Sequence, residues 1–198
     1  MTITLGVVMD PIESINIKKD STFAMLLEAQ QRGWNIRYME QGDLYLENDR
    51  SYARTRSLQV EENPLEWFRF LSEDTLPLDE LDVILMRKDP PFDMEYIYTT
   101  YLLEKAEERG VLIINRPSSL RDCNEKLFTA WFPQCCTPTL VTSNKERILN
   151  FIEQQKDVIL KPLDGMGGSS IFRSRQGDPN TNVIIETLTN HGHRYAMV

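Results

Sequence analysis

Four short runs along the first 120 residues are nearly continuous in apolar character: Thr4–Met9, Asn35–Met39, Asp82–Arg87 and Val111–Asn115. Runs of that kind suit strands covered on both faces. Between them, Phe23, Leu26 and Leu27, and later Met94, Ile97, Tyr98, Tyr101 and Leu102, follow the i, i+3, i+4 spacing of helices with one buried stripe. Repeated β-α-β predicts a parallel, doubly wound sheet. Two insertions interrupt the rhythm. Gly42–Val60 alternates polar and apolar residues and predicts a surface hairpin, whereas Pro64–Leu71 predicts a short helix whose spacing assigns Trp67, Phe68 and Phe70 to the core.

The pattern changes near Ser118. Ser119-Leu-Arg-Asp122 and Ser143-Asn-Lys-Glu146 both fit a Ser-x-x-acid capping box and predict helix starts. The helix after Ser143 carries Ile148, Phe151 and Ile152 on one face and ends near Gln155. Pro133-Gln-Cys-Cys-Thr-Pro138 reads as a linker, because neither proline can continue a helix. A boundary is therefore expected near 120–140. Beyond it come a strand at Val158–Lys161, a glycine loop, a strand at Ser170–Ser174, a helix around Val183–Leu188 and a strand at Arg194–Val198.

Composition narrows the function classes. The 198 residues are 41% apolar and 26% charged, as in a globular protein with a sizeable core, and no apolar run reaches the length of a membrane span. The N-terminal apolar run has no basic residue before it, so it predicts a first strand rather than a signal peptide. Thirty acidic against 22 basic residues give a net charge of −8, which disfavours a general nucleic-acid binder. Cys123 and the adjacent Cys135 and Cys136 suit a reducing cytoplasm better than a disulfide framework. Their spacing matches no zinc pattern, and His191 and His193 are expected to be surface residues without a role.

The candidate chemistry lies in VILKPLDGMGGSSIF, residues 158–172. Gly165, Gly167 and Gly168 let backbone N–H groups approach a ligand closely, and Ser169 and Ser170 add hydroxyl donors. A phosphate cradle and a plain hairpin turn both fit those residues. The length of the loop and Lys161, an ammonium at the end of an apolar strand, favour an anion. A P-loop does not fit, since its lysine follows the glycines and opens a helix. What fits is a hairpin flap folding over a polyphosphate.

The order of a doubly wound domain, the lysine-bearing DCNEKLFTAWF and then VILKPLDGMGGSSIF resembles the ATP-grasp superfamily. LGVVMDPIESINIKKDSTFAMLLEAQ, DVILMRKDPPFD, INRPSSLRDCNEKLF and ILKPLDGMGGSSIF resemble, more closely, the bacterial glutathione synthetase family. The resemblance implies an α/β fold. Residues 1–122 would form a pre-ATP-grasp, substrate-binding domain, and 123–198 a linker helix and the first part of an ATP-grasp α+β domain. It also implies ATP-dependent ligation of glycine to γ-glutamylcysteine with magnesium or manganese, in a cytoplasmic homotetramer. Lys126 and Lys161 occupy the places of the family's two nucleotide lysines, and Gly165, Gly167, Gly168, Ser169 and Ser170 would be the flap, with Asp164 as its anchor. The metal ligands and the arginines that fix the dipeptide are expected beyond Val198, which leads us to expect a truncated, inactive form.

Alternatives stand beside that reading. Lys126 could be a solvated helix lysine. Arg87 and Asp89 follow a strand, where open α/β sheets bind ligands, so they are candidates for holding substrate; an Arg–Asp pair bracing Pro90-Pro91 fits equally well. Asp10 is a turn residue or a ligand for the substrate's ammonium. Another ATP-grasp carboxylate–amine ligase, or a non-catalytic oligomerisation module with a vestigial flap, would show much of the same pattern.

Overall fold

The computed structural model describes residues 2–165 and 167–198; Met1 and the Met166 of the glycine loop lie outside them. Contacts divide the chain into one unit of Met1–Asp89 with Met94–Arg121 and a second of Pro90–Asp93 with Asp122–Val198.

In the first unit, β1 (Thr4–Val8), β2 (Asn35–Met39), β6 (Val83–Met86) and β7 (Leu112–Ile114) are parallel, ordered β2-β1-β6-β7. These are the four strands that the apolar runs predict. Helix α1 (Ser21–Gln31) starts where the Asp20 carboxylate accepts the Phe23 N–H at 2.7 Å, and it buries Phe23, Leu26 and Ala29 against the sheet. Leu5, Val7, Ile36 and Tyr38 complete this core.

The insertion departs from expectation. Between β2 and β6 lie β3 (Leu44–Glu47), β4 (Arg50–Val60) and β5 (Phe68–Pro77), all joined antiparallel to β4. The predicted hairpin forms, turning at Asn48 with φ 56°, but it is no surface flap. Strand β4 is long enough to pair with β3 at one end and with β2 at Ser57 and Arg56, burying Ala53 and Thr55 fully. The helix expected at Pro64–Leu71 is absent, because a turn at Pro64-Leu65 leads straight into β5. Phe68 and Phe70 do pack against the core, but through the period of a strand, with ring centroids 5.2 Å apart and Phe70 a further 5.2 Å from Tyr38.

Helix α2 (Met94–Glu107) forms where predicted and turns its other face inward. Tyr96, Thr99, Thr100, Leu103 and Ala106 are buried, whereas Met94, Tyr98 and Tyr101 are 53%, 51% and 49% exposed. Small residues let the helix lie close to the sheet. The Thr99 and Thr100 hydroxyls donate to the Glu95 and Ile97 carbonyls, so their burial leaves no polar group unpaired.

In the second unit a four-stranded antiparallel sheet is ordered β10 (Phe172–Arg175), β9 (Asp157–Pro162), β11 (Ala196–Met197), β8 (Val141–Thr142). Helices α4 (Lys145–Gln155) and α5 (Thr181–Thr189) bury Ile148, Ile152, Ile185 and Leu188 against Leu160 and Ala196. Both predicted capping boxes shift. Asn144, not Ser143, caps α4, accepting the Arg147 N–H at 3.0 Å. Ser119 lies inside α3 (Pro117–Asp122), where Pro117 takes the first helical position that suits proline. The expected linker α-helix is a 3-10 turn, Leu127–Trp131, because the Asn124 side chain draws in the N–H groups of Lys126 and Leu127 at 3.0 and 2.9 Å.

Candidate functional site

Strands β9 and β10 pair as an antiparallel hairpin with Phe172 opposite Leu160 and Arg175 opposite Asp157. The glycine loop is therefore a hairpin connection. Gly167 and Gly168 take φ of 65° and 81°, and Ser170 follows at 56°. A Cβ on Gly167 or Gly168 would meet nothing within 4 Å, so backbone conformation, not crowding, sets the requirement for glycine there.

The base of the loop is tied. Asp164 pairs with Arg194, Lys126 Nζ donates to the Gly165 carbonyl, and Asn124 Nδ2 reaches the Leu163 carbonyl at 3.5 Å. Among the described residues no hydrogen bond from elsewhere reaches 167–170, and those four residues are exposed. Lys126 is thus no solvated helix lysine. It stands just before the 3-10 turn, partly buried, with its ammonium on the loop.

Strand β9 alternates cleanly, turning Val158, Leu160 and Pro162 to the core and Asp157, Ile159 and Lys161 to the other face. Lys161 is half-buried, and among the described residues its ammonium has neither a hydrogen bond nor an ion pair. It lines a cleft of about 410 Å³ with Thr137, Thr139, Ile159, Met197 and Val198. At the other end of β9, Asp157 bonds Arg173 at 2.9 Å and Arg175 at 3.3 Å, and the Arg173 guanidinium, helped by Arg175, holds its carboxyl down at about 2.

The other candidates gather at the carboxyl ends of β1 and β6. Asp10 accepts the Asp89 N–H at 2.9 Å and pairs with Lys88 at 2.8 Å. Arg87 donates to the Thr22 and Ser21 hydroxyls, both at 3.0 Å, and not to Asp89. The Arg–Asp brace is therefore not formed; the chain links Asp10 to Lys88 and Arg87 to the first turn of α1. Lys88, Ser21 and Thr22 went unmarked in the sequence, although a second cation beside Arg87 was the available signal. The loop after Asp10 is pinned as well. Tyr38 Oη accepts the buried Ile12 N–H at 3.2 Å and donates to Glu40 at 2.9 Å, while Trp67 Nε1 donates to the Ile12 carbonyl at 3.0 Å. Burial, with the Glu40 carboxylate, drives the Tyr38 phenol well above its ordinary pKa, so it stays protonated.

His191 and His193 are exposed, and the cysteines are free. Among the described residues no group of three or more His, Cys, Asp or Glu is placed to hold a metal ion, and no helix is long and apolar enough to cross a membrane.

Residues 3–121 match the family described as prokaryotic glutathione synthetase, N-terminal domain, and residues 125–198 match prokaryotic glutathione synthetase, ATP-grasp domain. The glutathione synthetase of Vibrio vulnificus is 64% identical over 197 residues, which cover 100% of this chain and 62% of the relative. That of Escherichia coli is 66% identical over 195 residues, covering 98% of this chain and 62% of the relative. The chain thus spans about 62% of the length of these curated relatives. Among solved structures, D-cycloserine synthetase superposes with a TM-score of 0.60 at 14% identity, covering 98% of this chain and 58% of that one. D-alanyl-alanine synthetase A from Vibrio cholerae gives 0.58 at 12%, covering 100% and 60%; at such identities the likeness concerns the fold alone. Matched in both of its units by one family and sharing most of its residues with that family's members, the chain belongs to the prokaryotic glutathione synthetases.

Proposed function

We propose that this chain supplies the nucleotide flap and part of the acid-binding surface of a ligase that joins glycine to γ-glutamylcysteine at the expense of ATP. A carboxylate is a poor electrophile, so an amine cannot displace its oxygen until that oxygen can leave as phosphate. In this reading the γ-phosphate passes to the cysteinyl carboxylate, and the amine of glycine then expels it. The chain's task is positioning and charge neutralisation. Lys126 and Lys161 bind phosphate oxygens as point charges. Gly165, Gly167, Gly168, Ser169 and Ser170 close over them and exclude water from an acyl phosphate that would otherwise hydrolyse.

Residues 1–122 are the acid-binding domain in this reading and 123–198 belong to the ATP-grasp domain. Asp10, Arg87 and Asp89 present the dipeptide with polar groups at the strand ends, where α/β sheets bind ligands. Magnesium, which the family resemblance implies, supplies further charge neutralisation when bound; the described residues offer no ligand cluster for it, so this chain contributes its lysines and amides. The protein works as a cytoplasmic homo-oligomer.

The observation that carries the reading is the half-buried ammonium of Lys161, without a protein partner among the described residues, on the strand that leads into a hairpin loop whose glycines adopt positive φ. Titration of the chain with Mg-ATP, followed through backbone amide signals, tests it. Signals of 164–170 should move, and Lys161→Met should weaken binding by roughly 10- to 150-fold, the worth of a charged hydrogen bond. Unmoved signals and unchanged affinity would sink the nucleotide assignment. ADP release coupled to γ-glutamylcysteine and glycine tests the substrates separately.

A further inference from the structure

Asp10 lies in a short span of chain that is fixed on both sides. Before it, the Met9 N–H donates to the Met39 carbonyl at 3.1 Å, continuing the pairing of β1 with β2. After it, both backbone groups of the fully buried Ile12 are taken up by side chains far away in the sequence. The Ile12 N–H donates to Tyr38 Oη at 3.2 Å, and the Ile12 carbonyl accepts from Trp67 Nε1 at 3.0 Å. Tyr38 belongs to β2, whereas Trp67 stands just before β5, in the insertion between β2 and β6. Each clamp residue is itself held. The Trp67 carbonyl accepts the Glu61 N–H at 2.9 Å, and its ring packs on the core. The Tyr38 hydroxyl gives its hydrogen to Glu40 at 2.9 Å, which leaves a lone pair for Ile12. Glu40 in turn accepts from Arg56 of β4 at 2.8 Å, and the Arg56 guanidinium lies over the Tyr38 and Phe70 rings at 4.7 and 4.4 Å.

We propose that Tyr38 and Trp67 are positioning residues for the acid substrate: by clamping Ile12 they hold the Asp10 carboxylate, with its Lys88 and Asp89 partners, in place before γ-glutamylcysteine arrives. This rests on the reading of residues 1–122 as the acid-binding domain, and it gives the antiparallel insertion a task in that domain. A loop that a ligand must order costs the ligand affinity, and a loop ordered beforehand does not. The remainder of this loop orders itself locally. The Ser14 N–H and hydroxyl donate to the Pro11 carbonyl at 2.9 and 2.6 Å, and the Asn16 carbonyl accepts the Lys19 and Asp20 N–H groups, both at 2.9 Å. Those turns fix the loop's shape, and the clamp on Ile12 fixes where that shape sits on the sheet. Asp10 is then presented with its carboxylate on Lys88 at 2.8 Å and on the Asp89 N–H at 2.9 Å. Tyr38 is fully buried, so it acts on a ligand through the loop and not by contact.

Calorimetric titration of the whole chain with γ-glutamylcysteine, read beside amide exchange at Ile12 and Ser14, tests the clamp. Tyr38→Phe and Trp67→Phe each keep an aromatic ring and remove one hydrogen bond to Ile12. Each should speed exchange and weaken the dipeptide by roughly 2- to 12-fold, the worth of one such bond, while Mg-ATP affinity stays that of wild type. In an Asp10→Asn background the loss should shrink, because residues that act through Asp10 then have less to position. Ile36→Val, a truncation in the same core, should lower the melting temperature and leave dipeptide affinity unchanged. If Trp67→Phe fails to fold, Tyr38→Phe, which removes a single buried oxygen, carries the test. Wild-type affinity in the clamp variants, a loss strictly additive with Asp10→Asn, or an equal loss in Ile36→Val would overturn the clamp and leave the acid-binding reading standing. A wild-type chain that does not bind the dipeptide would overturn both.

Discussion

Replacing Gly6 by alanine should destabilise the first unit by an amount that its packing sets. Gly6 sits in the middle of β1, between Arg37 of β2 and Ile84 of β6. A Cβ there would stand 2.8 Å from Leu81 Cδ1, 2.9 Å from Met39 Cε and 3.2 Å from Ile84 Cγ1. Side-chain ends often yield, but these three residues are at most 4% exposed, so each must push into other packed atoms. Overpacking of this kind costs about 1–3 kcal/mol. At roughly 2–4 °C per kcal/mol for a chain of this size, the melting temperature should fall by about 2–12 °C. A thermal melt followed by tryptophan fluorescence in a Trp131→Phe background reads the first unit through Trp34 and Trp67. The origin of the loss is checked with Leu81→Ala, which alone costs about 2–5 kcal/mol. Because it removes the nearest obstacle, the double variant should be less destabilised than the sum by about 0.5–3 kcal/mol. A Gly6→Ala protein as stable as wild type, or strict additivity with Leu81→Ala, would refute the argument that β1 is sealed by close approach.

Because no hydrogen bond from elsewhere reaches 167–170 among the described residues, Gly168→Ala lets the tip relax in the free chain and should leave the melt of either unit nearly unchanged, whereas Mg-ATP binding, which needs the left-handed conformation restored, should weaken. The left-handed backbone that Gly168 adopts costs an L-residue about 1–2 kcal/mol, or roughly 5- to 30-fold in calorimetric affinity, and equal affinities would show that the tip is not part of the site. The Asp157 carboxyl, held at about 2 against an ordinary 3.8, contributes stability that is fully present above the ordinary value and is lost as pH falls through about 2. NMR titration of its side chain should find the low midpoint, and Arg173→Gln should move it up towards 3.8. Tyr38→Phe leaves the Ile12 N–H buried without a partner, at about 1–3 kcal/mol; amide exchange at Ile12 should accelerate, and unchanged exchange would mean the clamp on that loop is not real.

Much of the molecule was readable along the chain because its signals are local. The four parallel strands are apolar runs that only a sheet covered on both faces requires, and the helices that connect them start and stop on side chains nearby. The glycine hairpin was readable for the same reason, since positive φ is a property of single residues. The segment Pro64–Leu71 misled, because three aromatics within four positions fit a helix stripe and a strand face alike, and only β4 lying alongside selects the strand. In α2 the i, i+3, i+4 spacing pointed to the wrong face, because every position from Tyr96 to Leu103 is apolar, aromatic or threonine and more than one stripe fits; the close approach allowed by Thr99, Thr100 and Ala106 decided it.

Ligand chemistry divides the same way. The left-handed glycines of the loop and the place of Lys161 at the end of β9 were legible in residue type and spacing. The ties of Lys126 to the Gly165 carbonyl, Arg194 to Asp164, Arg87 to Ser21 and Thr22, and Lys88 to Asp10 were not. In every one of these ties the partners stand at least 30 residues apart along the chain, and only Arg87 beside Lys88 offered a hint. By itself the sequence determined the four parallel strands, the glycines that turn left-handed in the loop between β9 and β10 and which family the chain resembles. Only the tertiary structure decided which charges meet, since pairing depends on separations of about 3 Å between groups that the covalent chain leaves free to be far apart.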